Sequence, residues 1–538
     1  MGSNRTTKLG YRELAFCPAW IRKHGDFSHL LFFLFFYSIL ANIPFWTASD
    51  AFGLVHHGLF CLEYAAVGLL ALFVPRILAA GLLLLLMATD LVCGACRTYY
   101  LSVIECFSNF SVFHALSGPR RRAAIAVVLL VVLITAIAAC LPAPRIRRYG
   151  RWQAVACFIV FAFLLASADC LTIARRTGHL PNPFRGGQPA DRVDLSLNTA
   201  IRLARVPIVR LIPSELEFAR LRRIEVVDRA SALSVPSAAA VGVRFAELDT
   251  ARGREMPNLV IVLVESWGLA NNSSLNNALT QPYSQPALRA RYDVIQGTVP
   301  FDGGTVSGEA RELCGNSLGF HLLSASETEL RACLPERLAA RGYRTMAVHG
   351  MDGHLFARST WYGRIGFQES WFNDRFKEHG LPDCPGAFTG TCDAAIASWV
   401  GRRLAEPSPA PYFVHWVTLN SHLPVLVPSP LADGAPCSLA KGLTPESPLC
   451  SWYQLVANVH QSVSQMAMAK LGRPTIFVIV GDHAPPFSNP TLRSQFSSAV
   501  VPYVVLTPRA DNRPSNWLEA HNSFTPIRVA GKPSSPTP

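Results

Sequence analysis

Five apolar stretches, at residues 28–47, 52–74, 77–96, 123–141 and 152–174, set the first limit on what this chain can fold into. Each approaches the ~20 residues that a helix needs to cross a hydrocarbon core of ~30 Å. A helix satisfies its own N–H and C=O groups where no water can, so residues 1–174 read as an α-helical transmembrane bundle of five helices. A hydrophobic share of 50% and a mean hydropathy of +0.25 agree with a membrane portion. The first stretch starts near Ser28 and lacks a small-residue cleavage site behind a short apolar core, so it reads as a retained helix.

Arg5, Lys8, Arg12, Arg22 and Lys23 precede that helix, and the positive-inside rule then places the N-terminus in the cytoplasm. Five crossings put everything after residue 175 outside, with Arg145, Arg147, Arg148 and Arg151 on the inner side. Arg120, Arg121 and Arg122 fall on the outer side instead. They follow an amphipathic stretch from Arg97, which can lie along the outer interface with its arginines near lipid phosphates; the alternative is a different number of crossings. Glu63, Asp90 and Asp169 lie in or near apolar spans, where an ionisable group is expected to face the bundle interior or a headgroup. The net charge of +13 comes mostly from arginines between apolar runs, and no zinc-finger spacing or other nucleic-acid module accompanies it. Nucleic acid is therefore not an expected partner.

Eight of the 14 cysteines lie in the apolar half, where a thiol behaves as a small hydrophobe. The other six, Cys314, Cys333, Cys384, Cys392, Cys437 and Cys450, form three close pairs. In an oxidising compartment such a set reads as disulfides, with neighbour pairing the simplest of fifteen connectivities. Thiolate zinc is the rival reading, and no C-x-x-C pair supports it.

Residues 175–256 read as a helical connector, with helical apolar spacing between Leu195 and Leu233, and residues 511–538 as a Pro- and Ser-rich tail. Between them, 257–510 alternates short β-branched runs with helical segments, as in a largely parallel sheet covered on both faces. Asn258–Val264, Thr345–Val348, Tyr412–Leu419, Thr475–Val480 and Tyr503–Leu506 are the expected core strands. Ligands bind at the carboxyl edge of such a sheet, so the polar residues ending its strands are the candidates. One strand ends at Glu265 and another, over 200 residues later, at Asp482 and His483. Two carboxylates and an imidazole suit one divalent cation, Mn²⁺ or Zn²⁺. Between them, Gly303-Gly304-Thr305 precedes a helical pattern over Glu309–Leu318, which would set the Thr305 hydroxyl at a helix start, where backbone amides favour phosphate.

An early strand ending in Glu-Ser, a Gly-Thr about 40 residues on, and a late strand ending in Gly-Asp-His together resemble the lipoteichoic acid synthase, phosphoglycerol transferase and phosphoethanolamine transferase families. These are membrane-anchored members of the alkaline phosphatase/sulfatase superfamily. The resemblance implies a catalytic domain of α/β sulfatase type, with Glu265, Thr305, Asp482 and His483 at the metal positions and Thr305 as a nucleophile that becomes phosphorylated. His349, Arg358 and His422 match positions that contact the substrate, and His422 is a candidate acid and base. It also implies a phospholipid donor (phosphatidylglycerol or phosphatidylethanolamine), a glycan or lipid-linked acceptor, and a bacterial inner membrane with the catalytic domain in the periplasm. Leu313-Cys314-Gly315 is closer to the osmoregulated-glucan phosphoglycerol transferases, whereas Phe356 replaces the Trp usual in lipoteichoic acid synthases. Gly303-Gly304-Thr305 also lacks the Ser and Cys flanks of most phosphoethanolamine transferases.

Two rival functions remain at this level. Cys333-Leu334-Pro335-Glu336-Arg337 satisfies the C-x-P-x-R pattern of a formylglycine sulfatase, although it lies 68 residues after Glu265 where Thr305 lies 40 after it. An inactive sulfatase-like scaffold in envelope polysaccharide assembly is the other, and no ligand position is missing to favour it. Trp361, Trp371 and Phe372 read as core, His354 as a weaker candidate than His349, and Asp302 and Glu309 as solvated caps outside the site.

Overall fold

The structure, a computed structural model, describes residues 19–54, 59–101, 106, 112–142, 151–177, 236–251, 253–316, 322, 325–427, 429–431, 437–440 and 443–509. The helices expected between Leu195 and Leu233 and the tail from 511 lie outside the described residues, as do Arg5, Lys8, Arg12 and residues 145–148.

Three helical segments among the described residues are long and apolar enough to cross a membrane: His29–Phe52, Arg76–Cys96 and Gly118–Cys140. The stretch expected at 52–74 contains instead the nine-residue helix Leu62–Leu70. At 1.5 Å per residue, nine residues reach about 14 Å, roughly half of a bilayer core. The stretch expected at 152–174 lies within the helix Arg151–Thr177, whose described apolar part is Val155–Leu165. Phe33, Tyr37, Tyr64, Leu83 and Met87 interlock in the centre of this helical part, while Ile77, Leu78, Val128 and Leu129 face outward, more than half exposed. Asp90 points inward and accepts a hydrogen bond from the Tyr64 hydroxyl (2.9 Å), which satisfies a carboxyl that would otherwise be costly among apolar side chains.

The α/β part is built on a seven-stranded sheet. In chain order its strands are β1 (Asn258–Val264), β2 (Tyr292–Pro300), β3 (Arg344–His349), β4 (Glu369–Trp371), β7 (Tyr412–Val417), β8 (Thr475–Gly481) and β9 (Val500–Pro508), with β5 (Asp383–Cys384) and β6 (Gly390–Thr391) forming a separate small ribbon. The order β2-β9-β8-β1-β7-β3-β4 is parallel from β8 to β4 and antiparallel at β9 and β2. The sheet is therefore largely parallel, as expected, with an antiparallel edge at β9 and β2. All seven residues of β1 and of β8 are buried, as expected for central strands with helices on both faces. The helix Ala238–Ala251 covers one face, where Gly242 allows close approach: a Cβ there would come within 2.4 Å of Val478. The helix Pro448–Met468 packs on the other face.

The six cysteines pair as neighbours, Cys314–Cys333, Cys384–Cys392 and Cys437–Cys450, which removes the thiolate-zinc reading. Trp361, Trp371 and Phe372 are buried in the core.

The two parts of the molecule touch. Arg120 donates to the carbonyls of Gly386 (2.8 Å) and Pro424 (2.7 Å), and Leu116 makes a β-bridge with Phe388. Arg120 thus meets backbone oxygens of the α/β part rather than the lipid phosphates expected from sequence.

Candidate active site

Strand register builds the site. Val264 of β1 lies opposite Gly481 of β8, so the next residues, Glu265 and Asp482, leave the sheet side by side. His349 at the end of β3 is in register with Val417 of β7, and the hydroxyl oxygen of Thr418, just after β7, accepts from the backbone N–H of Glu265 (2.9 Å). Four strand ends thereby converge on one edge. Ligand atoms of Glu265, Asp482 and His483 all lie within 4.8 Å of one another, and all three residues are buried.

Thr305 opens the helix Thr305–Cys314 and donates its hydroxyl to Glu265 Oε2 (3.0 Å). Two features hold this helix start against β8. At Gly308 an added Cβ would lie 3.1 Å from the Cα of Asp482, so only glycine lets the helix come this close without a shift. Arg311, one turn on, donates to the carbonyls of Gly481 (2.7 Å) and Asp482 (3.3 Å). The other oxygen of Glu265, Oε1, accepts from the Ser266 hydroxyl (2.8 Å).

Three histidines share one device. Nδ1 of His349 meets the Val417 carbonyl (3.0 Å), Nδ1 of His422 that of Leu423 (2.6 Å), and Nδ1 of His483 that of Ala484 (2.9 Å). A carbonyl only accepts, so each Nδ1 carries a proton, and in a neutral ring the lone pair is on Nε2. In His483, Nε2 lies 3.5 Å from Glu265 Oε1 and 3.4 Å from Asp482 Oδ2. Burial pushes the pKa of His483 down, and burial together with the charge of Arg358 takes His349 down to about 4, so both are neutral at pH 7.

The carboxylates are driven apart. Burial alone would raise Glu265, but the neighbouring imidazoles of His422 and His483 and the hydroxyls of Ser266 and Thr305 hold it at about 2. Burial and the charge of Glu265 push Asp482 well up, and its Oδ2 is buried without a hydrogen-bond partner. An orphaned carboxylate oxygen facing a neutral imidazole and a second carboxylate fits a divalent cation, which would relieve the repulsion. These donors, with the hydroxyl of Thr305 beside them, are suited to holding such an ion.

Arg358 is placed differently from the expectation of a phosphate-binding side chain. It is buried and gives Nε (3.0 Å) and Nη2 (2.7 Å) to Glu309 Oε2, while Tyr362 also donates to Glu309. Glu309, read from sequence as a solvated cap, is fully buried; burial would raise it, but Arg358 and His415 hold it down at about 2. Asp302 is exposed. His354 is exposed and pairs with Asp352. His422 stands in a loop fixed in part by Asp393, which the sequence did not single out. Asp393 accepts from the backbone N–H of Leu419 (3.0 Å) and Asn420 (2.7 Å), and the Ser421 hydroxyl donates to the Glu265 carbonyl (2.6 Å). An acidic residue in the first turn of the helix Asp393–Ala405 looks like any helix-start acid, so nothing local marks Asp393.

A family model described as Sulfatase matches residues 257–526, half of the chain. Among solved structures, the Streptococcus pyogenes phosphoglycerol transferase GacH, in complex with sn-glycerol-1-phosphate, is similar at 19% identity, covering 50% of this chain and 74% of that one with a TM-score of 0.34. The lipoteichoic acid synthase LtaP from Listeria monocytogenes is similar at 16% identity over 54% of this chain and 72% of that one, TM-score 0.35. The C-terminal periplasmic domain of EcEptC from Escherichia coli is similar at 16% identity over 49% and 74%, TM-score 0.28. Scores this low transfer no function. No curated protein matches the chain.

Proposed function

The chain belongs to the sulfatase family, and on that premise we propose that it is a membrane-anchored phosphotransferase. In this reading it moves a phosphoglycerol or phosphoethanolamine group from a phospholipid to an extracytoplasmic glycan or lipid-linked acceptor. The observation that carries the reading is the Thr305 hydroxyl at a helix N-terminus, hydrogen-bonded to Glu265 beside buried Asp482 and His483. A threonine so placed serves as a nucleophile in transfer, whereas a formylglycine needs a free cysteine; Cys333 is bonded to Cys314.

Glu265, Asp482 and His483 would hold one Mn²⁺ or Zn²⁺ ion. When bound it supplies Lewis acidity toward the phosphoryl oxygen and lowers the pKa of the Thr305 hydroxyl. The chain's own groups do the rest. Thr305 Oγ1 forms a bond to phosphorus as the P–O bond to diacylglycerol breaks, leaving a phospho-threonine diester. The hydroxyl proton is already directed at Glu265 Oε2. His422, its Nδ1–H fixed on the Leu423 carbonyl, would enter the first step with Nε2 also protonated, give that proton to the departing alkoxide, and then take the proton of the acceptor hydroxyl as the acceptor oxygen bonds to phosphorus and the P–Oγ1 bond of Thr305 breaks. His349 takes part as a neutral group lining the site, and Arg358 acts through Glu309 on the helix that carries Thr305.

Outward-facing Ile77, Leu78, Val128, Leu129 and Phe163 support membrane anchoring, since a contiguous exposed apolar surface needs lipid to cover it. The assigned location is the bacterial cytoplasmic membrane, with the α/β part in the periplasm. Purified protein with Mn²⁺ or Zn²⁺ is expected to release diacylglycerol from fluorescent phosphatidylglycerol or phosphatidylethanolamine, and a Thr305→Ala variant is expected to release none above background. Equal release by the two proteins would end this reading.

A further inference from the structure

The helix Arg76–Tyr99 ends in an elbow that reaches the candidate site. Tyr100 caps it in the left-handed region (φ 56°), its N–H bonded to the Cys96 carbonyl. A non-glycine residue in that conformation costs on the order of 1 kcal/mol, so surrounding contacts must hold it there. They come from the α/β part. The Tyr100 ring lies 5.3 Å from the imidazole of His483 and meets Phe301 edge-on at 5.9 Å. The Arg493 guanidinium sits 4.6 Å over the same ring, and its Nη1 donates to the Thr98 carbonyl (3.3 Å). Tyr99 puts its ring 5.9 Å from that of His422 and gives its hydroxyl to the Phe52 carbonyl. The backbone is as close as the rings: a Cβ on Gly304, the residue before Thr305, would lie 3.1 Å from the Tyr99 carbonyl oxygen.

Two adjacent tyrosines of the helical part therefore pack on two histidines of the site, and their backbone lies against the N-cap of the nucleophile's helix. We propose that this elbow is a working part of the active site, and that Tyr100 is a positioning residue for His483. Its ring blocks rotation of the imidazole away from Glu265 and Asp482, while the Nδ1 bond to Ala484 fixes the tautomer. Arg493 holds the ring in place by cation–π contact. The site is consequently complete only when the helical and α/β parts are docked.

This inference rests on the proposed cation site but not on the donor lipid. Zn²⁺ binding to the full chain in detergent micelles, followed by calorimetry, tests it for wild type, Tyr100→Ala, Tyr100→Phe and Arg493→Gln. Loss of a group that orients a ligand weakens metal binding by roughly 10–100-fold. Tyr100→Ala is expected to lose affinity in that range, Tyr100→Phe to stay close to wild type because the ring does the work, and Arg493→Gln to fall between them. Amide exchange over 303–308 is expected to quicken in Tyr100→Ala and not in Tyr100→Phe. Wild-type affinity and exchange in Tyr100→Ala would overturn the proposal, and so would an equal loss in Tyr100→Phe. If Tyr100→Ala fails to fold, Arg493→Gln decides by the same criteria. A wild-type protein that binds Zn²⁺ yet releases no diacylglycerol would count against the transferase reading alone, since the affinity ladder would still report on the elbow.

Discussion

Glu309 illustrates how a single side chain is governed by residues far along the chain. It has no exposure, accepts from Arg358 and Tyr362, and has His415 Nε2 at 3.8 Å. Its own sequence neighbourhood, a glycine before it and an arginine two residues on, suggests a surface position, which is why it reads as a solvated cap. The partners that make burial tolerable come 49 and 106 positions later and on other elements. Removing one member of a buried ion pair leaves the other charge uncompensated, at about 3–5 kcal/mol. Glu309→Gln should therefore lower the thermal midpoint of the micellar protein strongly at pH 7. The sign with pH follows from the depressed pKa. A carboxylate moved from 4.5 down to about 2 contributes stability above pH 4.5 and loses it as the pH falls toward 2. The advantage of wild type over Glu309→Gln is accordingly expected to shrink between pH 5 and pH 2 on the order of 3 kcal/mol in all, and a constant gap would refute the pairing.

Among elements, legibility followed burial. β1, β3, β7, β8 and β9 are mostly buried and dominated by apolar residues and could be read directly, whereas β2 could not. Asp293, Gln296, Gly297 and Thr298 interrupt β2, because it is an edge strand paired only with β9 and one face need not be apolar. The three residues of β4 carry too little pattern to show. The antiparallel return of β9 was equally hidden, since strand direction is a property of connections and not of composition. In the helical part, the stretch 52–74 has the hydropathy of a span but breaks into pieces around Leu62–Leu70. For the site, the strand tips carrying Glu265 and Asp482–His483 were visible, and the supports at Asp393, Glu309 and Tyr100 were not. The Cys314–Cys333 bridge ties the last residue of the helix that Thr305 opens to the start of the helix Leu334–Ala339. A bridge enclosing a loop of this size is worth ~3 kcal/mol in the chain-entropy account. Replacing both cysteines by serine should cost stability of that order, and a non-reduced peptide map of wild type should show the two cysteine peptides linked, with no aldehyde at Cys333. An aldehyde there would return the formylglycine chemistry to consideration.

For the whole molecule, cation binding is expected to be linked to folding, because an unfolded chain cannot present Glu265, Asp482 and His483 together. Chelation with EDTA should lower the thermal midpoint, and Zn²⁺ at a hundredfold excess over its dissociation constant should restore about 2.7 kcal/mol. A midpoint indifferent to both would mean that these residues hold no ion. The central pairing of β1 with β8 also governs timing during synthesis. A growing chain presents Glu265 on a strand whose partner β8, the one that leads to Asp482 and His483, is made more than 200 residues later. Until then it offers one donor of three and has little purchase on a cation, so loading of any metal belongs to the last stage of biogenesis, after the C-terminal strands have been made.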